Sequence, residues 1–276
     1  FDGGMGTMLQ AAGLPAGASP DVWNITNPDA VRAVHAAYLN AGANVITSNT
    51  FGSTAPRQKR GAYKPAELAA AGVRIVKEAI VASGKTAYAA LDVGPLGEFL
   101  EPLGDLTEEE ATAYFREEIE AGVAAGADCI LIETMSALDE ALVCIKAAKE
   151  FGAGLPVLCT LTYSAAGRLM TGETIETVVS ALEEAGVDAF GCNCGVGPEQ
   201  LVAFLPRFVA CATKPLIMQP NAGLPEYQDG QTVYLVGPEA FAGEMKKLAQ
   251  GGVWGLGGCC GTTPEHIARV ADIAAE

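Results

Sequence analysis

Four stretches of the chain share one pattern: "AGANVIT" from Ala41, "AGADCIL" from Ala125, "AGVDAFG" from Ala185 and "GGVWGLG" from Gly251. In each, a glycine follows a helix-forming run and precedes an apolar, partly β-branched one. A glycine just past a helix suits the left-handed position that ends it, and an apolar run of this kind suits a strand buried on both faces. Gly42, Gly126, Gly186 and Gly252 stand 84, 60 and 66 residues apart, so each interval has room for two βα units.

The intervals hold further candidate strands, "TAYAALDVG" from Thr86, "LPVLCTLT" from Leu155 and "KPLIMQPN" from Lys214, and "FDGG" is left as a clipped first strand. Helix starts are marked by Asn27 before Pro28, by Thr107 with Glu110 as a capping box, and by Gly197, Gly237 and Thr263, each before a proline. Eight strands alternating with helices predict a (β/α)8 TIM barrel formed by residues 1–276 as a single domain. A doubly wound open sheet is the runner-up. Against it, "DGGMGT" is not a dinucleotide-binding fingerprint and no Walker loop occurs.

Counting from the helix-ending glycines, Asn49, Glu133, Cys194 and Cys259 fall 7, 7, 8 and 7 residues on. Each is one short strand later, so all are expected at the C-terminal ends of the strands, where barrels of this type build their active sites. Cys260 adjoins Cys259, and Asp2 follows the clipped first strand. Three thiols at one mouth suit zinc, which takes soft sulfur ligands and in catalytic sites keeps a fourth position open. Ordinary buried thiols, or a strained redox pair at Cys259–Cys260, are the alternatives. Cys192 is expected on the other side of its strand from Cys194, facing the helices. Cys129, Cys144, Cys159 and Cys211 lie in apolar stretches, and His35 and His266 lie within helices; all six are expected to be structural.

A formal charge of −16 with no basic cluster argues against nucleic acid as a partner. No apolar run reaches the roughly 18 residues of a membrane span, and "FDGGMG" lacks the regions of a signal peptide. A cytoplasmic chain without disulfides is expected. The acidic run "LTEEEATAYFREEIE" is read as a helix start continuing as a solvated face, and Phe51 as packing or plugging the mouth.

In this order, "DGGMGT", "WNITNPD", "TSNTFG", "IETM", "FGCNCGVGP", "PNAG" and "GLGGCCGTTPEHI" resemble the homocysteine S-methyltransferase family over essentially the whole chain. Within it, "QPNAGLP", "QTVYLVGPEAFA" and "GGCCGTTPEH" are nearest to the homocysteine-binding module of the cobalamin-dependent branch. The resemblance implies a zinc-dependent barrel with Cys194, Cys259 and Cys260 as ligands, Asp2 and Glu133 holding the ammonium of L-homocysteine, and methionine as product. Backbone amides from Gly3 to Thr7, or the turn at Ser48 and Asn49, are expected to receive the substrate carboxylate, and Asn221 to line or gate the mouth.

The chemistry accounts for the choice of residues. A thiol with pKa about 8.5 is only a few per cent ionised at pH 7; zinc expels its proton, and three thiolate ligands leave the bound sulfur electron-rich. Neither histidine fits the cobalamin-binding D-x-H-x-x-G motif, so methylcobalamin is expected to be presented by a corrinoid-binding domain or partner outside this chain. A direct small donor such as S-methylmethionine or betaine, or a non-catalytic zinc-binding barrel, stays open as an alternative.

Overall fold

The computed structural model describes residues 1–15, 17–59, 61–228 and 231–275. Seven parallel strands form one curled sheet in the order β1 (Val45–Thr47), β2 (Tyr88–Val93), β3 (Cys129–Met135), β4 (Val157–Leu161), β5 (Ala189–Asn193), β6 (Leu216–Gln219) and β9 (Gly255–Leu256). Sequence order equals spatial order, as expected when every strand is followed by a covering helix. A separate antiparallel hairpin, β7 (Pro225–Gln228) with β8 (Gln231–Tyr234), is inserted between β6 and the helix Pro238–Gln250.

The junction glycines behave as their spacing requires. Gly42, Gly126, Gly186 and Gly252 have φ of 101°, 99°, 74° and 89°, a region from which side chains are largely excluded. Helices begin at Pro28, Glu108, Pro198, Pro238 and Pro264, each at its marked start. Thr107 and Glu110 form the reciprocal capping box.

Two expectations are corrected. The described residues form a seven-stranded sheet rather than eight strands, because "FDGG" carries no strand of its own. It is a short extended segment bonded to both edges: Asp2 N donates to Val45 O at 3.1 Å, Phe1 N to Leu256 O at 2.7 Å, and Gly258 N to Asp2 O at 3.0 Å. The acidic helix Glu108–Ala124 is not a uniformly solvated face, since Glu118 is fully buried.

The sheet separates two cores. Its convex face packs under the helices through residues such as Leu91, Ile130, Cys159, Phe190 and Met218. Its concave face holds a smaller cluster of Phe1, Ala90, Cys129, Leu131, Leu158, Ala189 and Ile217. The two sets alternate along each strand with the period of two. Beyond the concave cluster, toward the strand ends, the inward side chains become polar, and there the main cavity opens. All eight cysteines are free thiols, and no helix among the described residues is long and apolar enough to cross a membrane.

Candidate active site

A cavity of about 670 Å³ lies at the C-terminal ends of the strands, walled by Asp2, Gly3, Thr7, Ser48, Asn49, Glu133, Cys194, Cys259 and Cys260 among others. Nine of the ten residues singled out in the sequence therefore meet in one space. The tenth, Asn221, is buried behind the wall and hydrogen bonds to the Cys194 sulfur.

The sulfurs of Cys194, Cys259 and Cys260 lie within 4.8 Å of one another. Tetrahedral zinc with bonds of about 2.3 Å sets its sulfurs about 3.8 Å apart, so the spacing and the soft donors both fit that ion. The thiols of Cys259 and Cys260 donate to Cys194 and hold it as a thiolate, down to about 3, while Cys260 is pushed up to about 11. Asn193 Nδ2 approaches the Cys259 sulfur at 3.8 Å and donates to Thr134 Oγ1 at 2.6 Å, and Thr134 N donates to Asn193 Oδ1 at 3.1 Å. This bracket joins the ends of β3 and β5 to the cysteine loop.

Cys192 faces the helices as expected, but for a different reason. Residues two apart on a strand share a face, so alternation would send Cys192 and Cys194 the same way. Strand β5 ends at Asn193, and Cys194 takes φ +56°. This left-handed turn swings its sulfur into the cavity while Cys192 stays fully buried in the convex core. Thr134 has a similar φ of +57°; strained backbone of this kind gathers at functional sites.

The Cys259–Cys260 loop is held from behind. Gly261 has φ +79°, and a Cβ there would lie 2.2 Å from the Tyr234 ring; only glycine lets the hairpin tyrosine lie against the loop. The Tyr234 hydroxyl reaches the Cys260 sulfur. His266 accepts from Thr263 N at 3.2 Å through Nδ1 and bonds Val236 O at 2.9 Å through Nε2. With Nδ1 an acceptor, the Nε2–H is the donor. His35 is wholly buried with no partner on either ring nitrogen among the described residues, and burial pushes it down to about 3. Both histidines are structural.

The wall also carries four carboxyl groups. Asp2 is buried, with Oδ2 accepting from Thr47 N at 2.9 Å and Oδ1 from Thr47 Oγ1 at 2.8 Å; burial pushes it up to about 6 against these bonds. Glu133 is pushed up to about 8 by burial and by the charges of Asp2 and Cys194. Asp21 and Asp92 also face the cavity. Asp21 is satisfied by Ser19, Gly52 N and Ser53, whereas Asp92 is raised well above the carboxylate range by burial and then by Glu133.

Ser48 and Asn49 line the space with their side chains committed elsewhere. Ser48 Oγ bonds Thr50 Oγ1 and accepts from Asp92 N, and Asn49 Nδ2 donates to Pro20 O and Asn24 Oδ1. The "TSNT" turn and "WNITNPD" are thus tied together. Phe51 lines the mouth with the Arg57 guanidinium 5.4 Å above its ring.

Three converging thiols that could hold a metal ion and a set of carboxyl groups lie together at the strand ends of a curled parallel sheet on an α/β scaffold. The chain belongs to the homocysteine S-methyltransferase family, whose model matches residues 1–274. The methionine synthases of Mycobacterium leprae and Mycobacterium tuberculosis are each 31% identical over 288 residues, covering 98% of this chain but 24% of the relative. The chain thus spans about a quarter of the length of these relatives. The metallated form of the homocysteine methyltransferase MmuM from Escherichia coli superposes with a TM-score of 0.83 at 24% identity, covering 99% of this chain and 94% of that one; this likeness is one of fold. Its apo form gives 0.77 at 25% identity over the same shares.

Proposed function

We propose that the chain binds L-homocysteine, holds it as a thiolate and methylates it to methionine. The observation that carries this reading is the convergence of three cysteine sulfurs within 4.8 Å at the edge of an acidic cavity. Cys194, Cys259 and Cys260 would hold zinc, as their spacing and donor type fit. Bound there, zinc supplies an open coordination position and the Lewis acidity that keeps a thiol ionised near neutral pH.

The chain's own groups do the rest. Asn193, Asn221 and Tyr234 hydrogen bond to the three sulfurs and fix their directions, as outer partners of metal ligands do. The carboxyl groups attract the substrate ammonium, and the turn from Gly3 to Thr7 offers amides to its carboxylate. The substrate sulfur then forms its bond to the methyl carbon as the donor's bond to that carbon breaks, the electron pair leaving with the donor. The thiol proton has gone to solvent before this step.

The methyl donor we favour is methylcobalamin on another domain or protein, because the curated relatives at 31% identity are methionine synthases in which a chain of this length occupies 24%. A direct onium donor is the second reading, favoured by the carboxyl groups and Phe51 in the wall. The (β/α)8 barrel remains our reading of the fold, with the Phe1–Asp2 segment in the eighth strand position because it bonds both sheet edges. We keep the cytoplasmic placement with it, in line with eight free thiols.

The test incubates the zinc-loaded chain with homocysteine and each donor in turn. Methionine formed from methylcobalamin supports the favoured reading. Turnover with S-methylmethionine or betaine and none with methylcobalamin reverses the donor assignment, and none with any donor refutes the activity.

A further inference from the structure

Among its described residues the cavity wall contains one aromatic ring and one basic side chain, Phe51 and Arg57. The two are stacked on each other, with the Arg57 guanidinium carbon 5.4 Å from the centre of the Phe51 ring. A cation at this distance is attracted by the negative face of the ring. The one ring in the described wall therefore already holds a cation.

The pair is fixed by the chain that leaves β2. A Cβ on Gly94 would lie 2.7 Å from the Phe51 ring, so the backbone there packs directly against it. Arg57, in the short helix Ala55–Gln58, donates from Nε to Pro95 O at 2.6 Å, and a Cβ on Gly97 would come within 3.7 Å of its Cζ. The same turn is held by Glu140, whose Oε1 accepts from Leu96 N. Ring and guanidinium are both pressed against residues 94–97, and the guanidinium keeps its charge at any working pH.

Arg57 makes no ion pair among the described residues. Gln10, Gln58 and Gln219 add only neutral amides to the wall, and its carboxyl groups serve the homocysteine ammonium on the reading above. A second cation entering the cavity would find the aromatic face taken and a like charge beside it, a repulsion that grows as water is excluded.

We propose that Arg57 is a specificity determinant that bars onium methyl donors and admits a donor whose methyl group rides on an uncharged carrier. The balance of the transfer agrees. The thiolate sulfur forms its bond to the methyl carbon, and the carrier keeps the electron pair of the bond that breaks. An onium carrier then leaves neutral, whereas an uncharged carrier leaves with one added negative charge. A fixed cation opposes the approach of the first and favours the charge acquired by the second. This assignment rests on the reading of homocysteine as methyl acceptor.

The test gives the zinc-loaded protein with homocysteine one of two labelled methylating agents, trimethylsulfonium, which is cationic and has no amino-acid handle, or iodomethane, which is uncharged. Labelled methionine is followed at about pH 6, where the free thiol is almost wholly protonated. The quantity read is the ratio of the trimethylsulfonium rate to the iodomethane rate. Arg57→Gln should raise this ratio about tenfold or more, by freeing the ring and removing the like charge, with zinc content unchanged. A second variant, Phe51→Leu, keeps the charge and removes the ring; it should leave the ratio within about twofold of wild type, since no donor uses that face. An unchanged ratio in Arg57→Gln, or a clear fall in Phe51→Leu, overturns the assignment. If zinc-loaded wild type forms methionine from iodomethane no faster than free homocysteine does, the reading of homocysteine as acceptor fails instead, and the role of Arg57 with it.

Discussion

Glu140 offers a perturbation whose size can be worked out. It lies in the first turn of the helix Leu138–Phe151, is 6% exposed, and its Oε1 accepts from Leu96 N at 2.6 Å. Burial, opposed by that bond, pushes it from 4.5 to about 7. A carboxyl raised on folding binds its proton more tightly in the folded state. Its contribution to stability is complete below 4.5 and is lost as pH rises to about 7, at about 1.4 kcal/mol per pH unit. Above that range the ionised group costs about 3 kcal/mol. Glu140→Gln keeps an oxygen for Leu96 N and removes the titration. It also removes a charge that the helix N-terminus favours, worth at most about 1 kcal/mol at most such sites. The variant should therefore exceed wild type by about 2 kcal/mol near pH 8, with the difference vanishing near pH 5. Urea unfolding of both proteins in the same metal state across that range measures it. Parallel pH profiles, or a variant less stable than wild type near pH 8, would refute the reasoning.

Three further outcomes are expected. Metal analysis should find zinc retained in Cys192→Ala, at a cost of about 1 kcal/mol for the lost core atom, and lost in Cys259→Ala; the reverse would contradict the strand facing. Gly261→Ala places a Cβ 2.2 Å from the Tyr234 ring at φ +79°, so it should lower the melting temperature and alter the thiolate-to-metal absorption of the cobalt form, whereas an unchanged spectrum would separate the hairpin from the metal loop. Glu133→Gln should weaken homocysteine in calorimetry while sparing zinc, and zinc loss with unchanged homocysteine affinity would assign Glu133 to the support of the metal.

The frame of the fold was legible because glycine is the one residue that ends a helix in the left-handed conformation cheaply. Gly42, Gly126, Gly186 and Gly252 announced four strands, and counting onward from them located Glu133, Cys194 and Cys259. The hairpin Pro225–Tyr234 was not legible, since its outer strand is exposed throughout and carries no burial pattern. The facing of Cys194 was hidden for another reason: a positive φ at a cysteine leaves no mark in composition. Asp92, Asn193 and Gln219 were overlooked because each is one polar residue inside an apolar strand. Their signal was parity, since Asp92 and Gln219 stand two places after the inward-facing Ala90 and Ile217, and Asn193 four places after Ala189.

Strand β5 also limits what insertions and deletions this chain can survive. Cys192, Asn193 and Cys194 are adjacent, yet they serve the convex core, the bracket to Thr134 and the sulfur triad. Loss of one residue between Ala189 and Cys192 would move the cysteine meant for the cavity onto the strand position of Asn193 and the asparagine into the apolar core. Gain of one would carry Cys192 to that position and Asn193 into the left-handed turn. Length changes are therefore expected to accumulate in the connections over the cavity, such as that carrying the hairpin, and to be absent between Ala189 and Gly195, whatever the tolerance of the same positions to substitution.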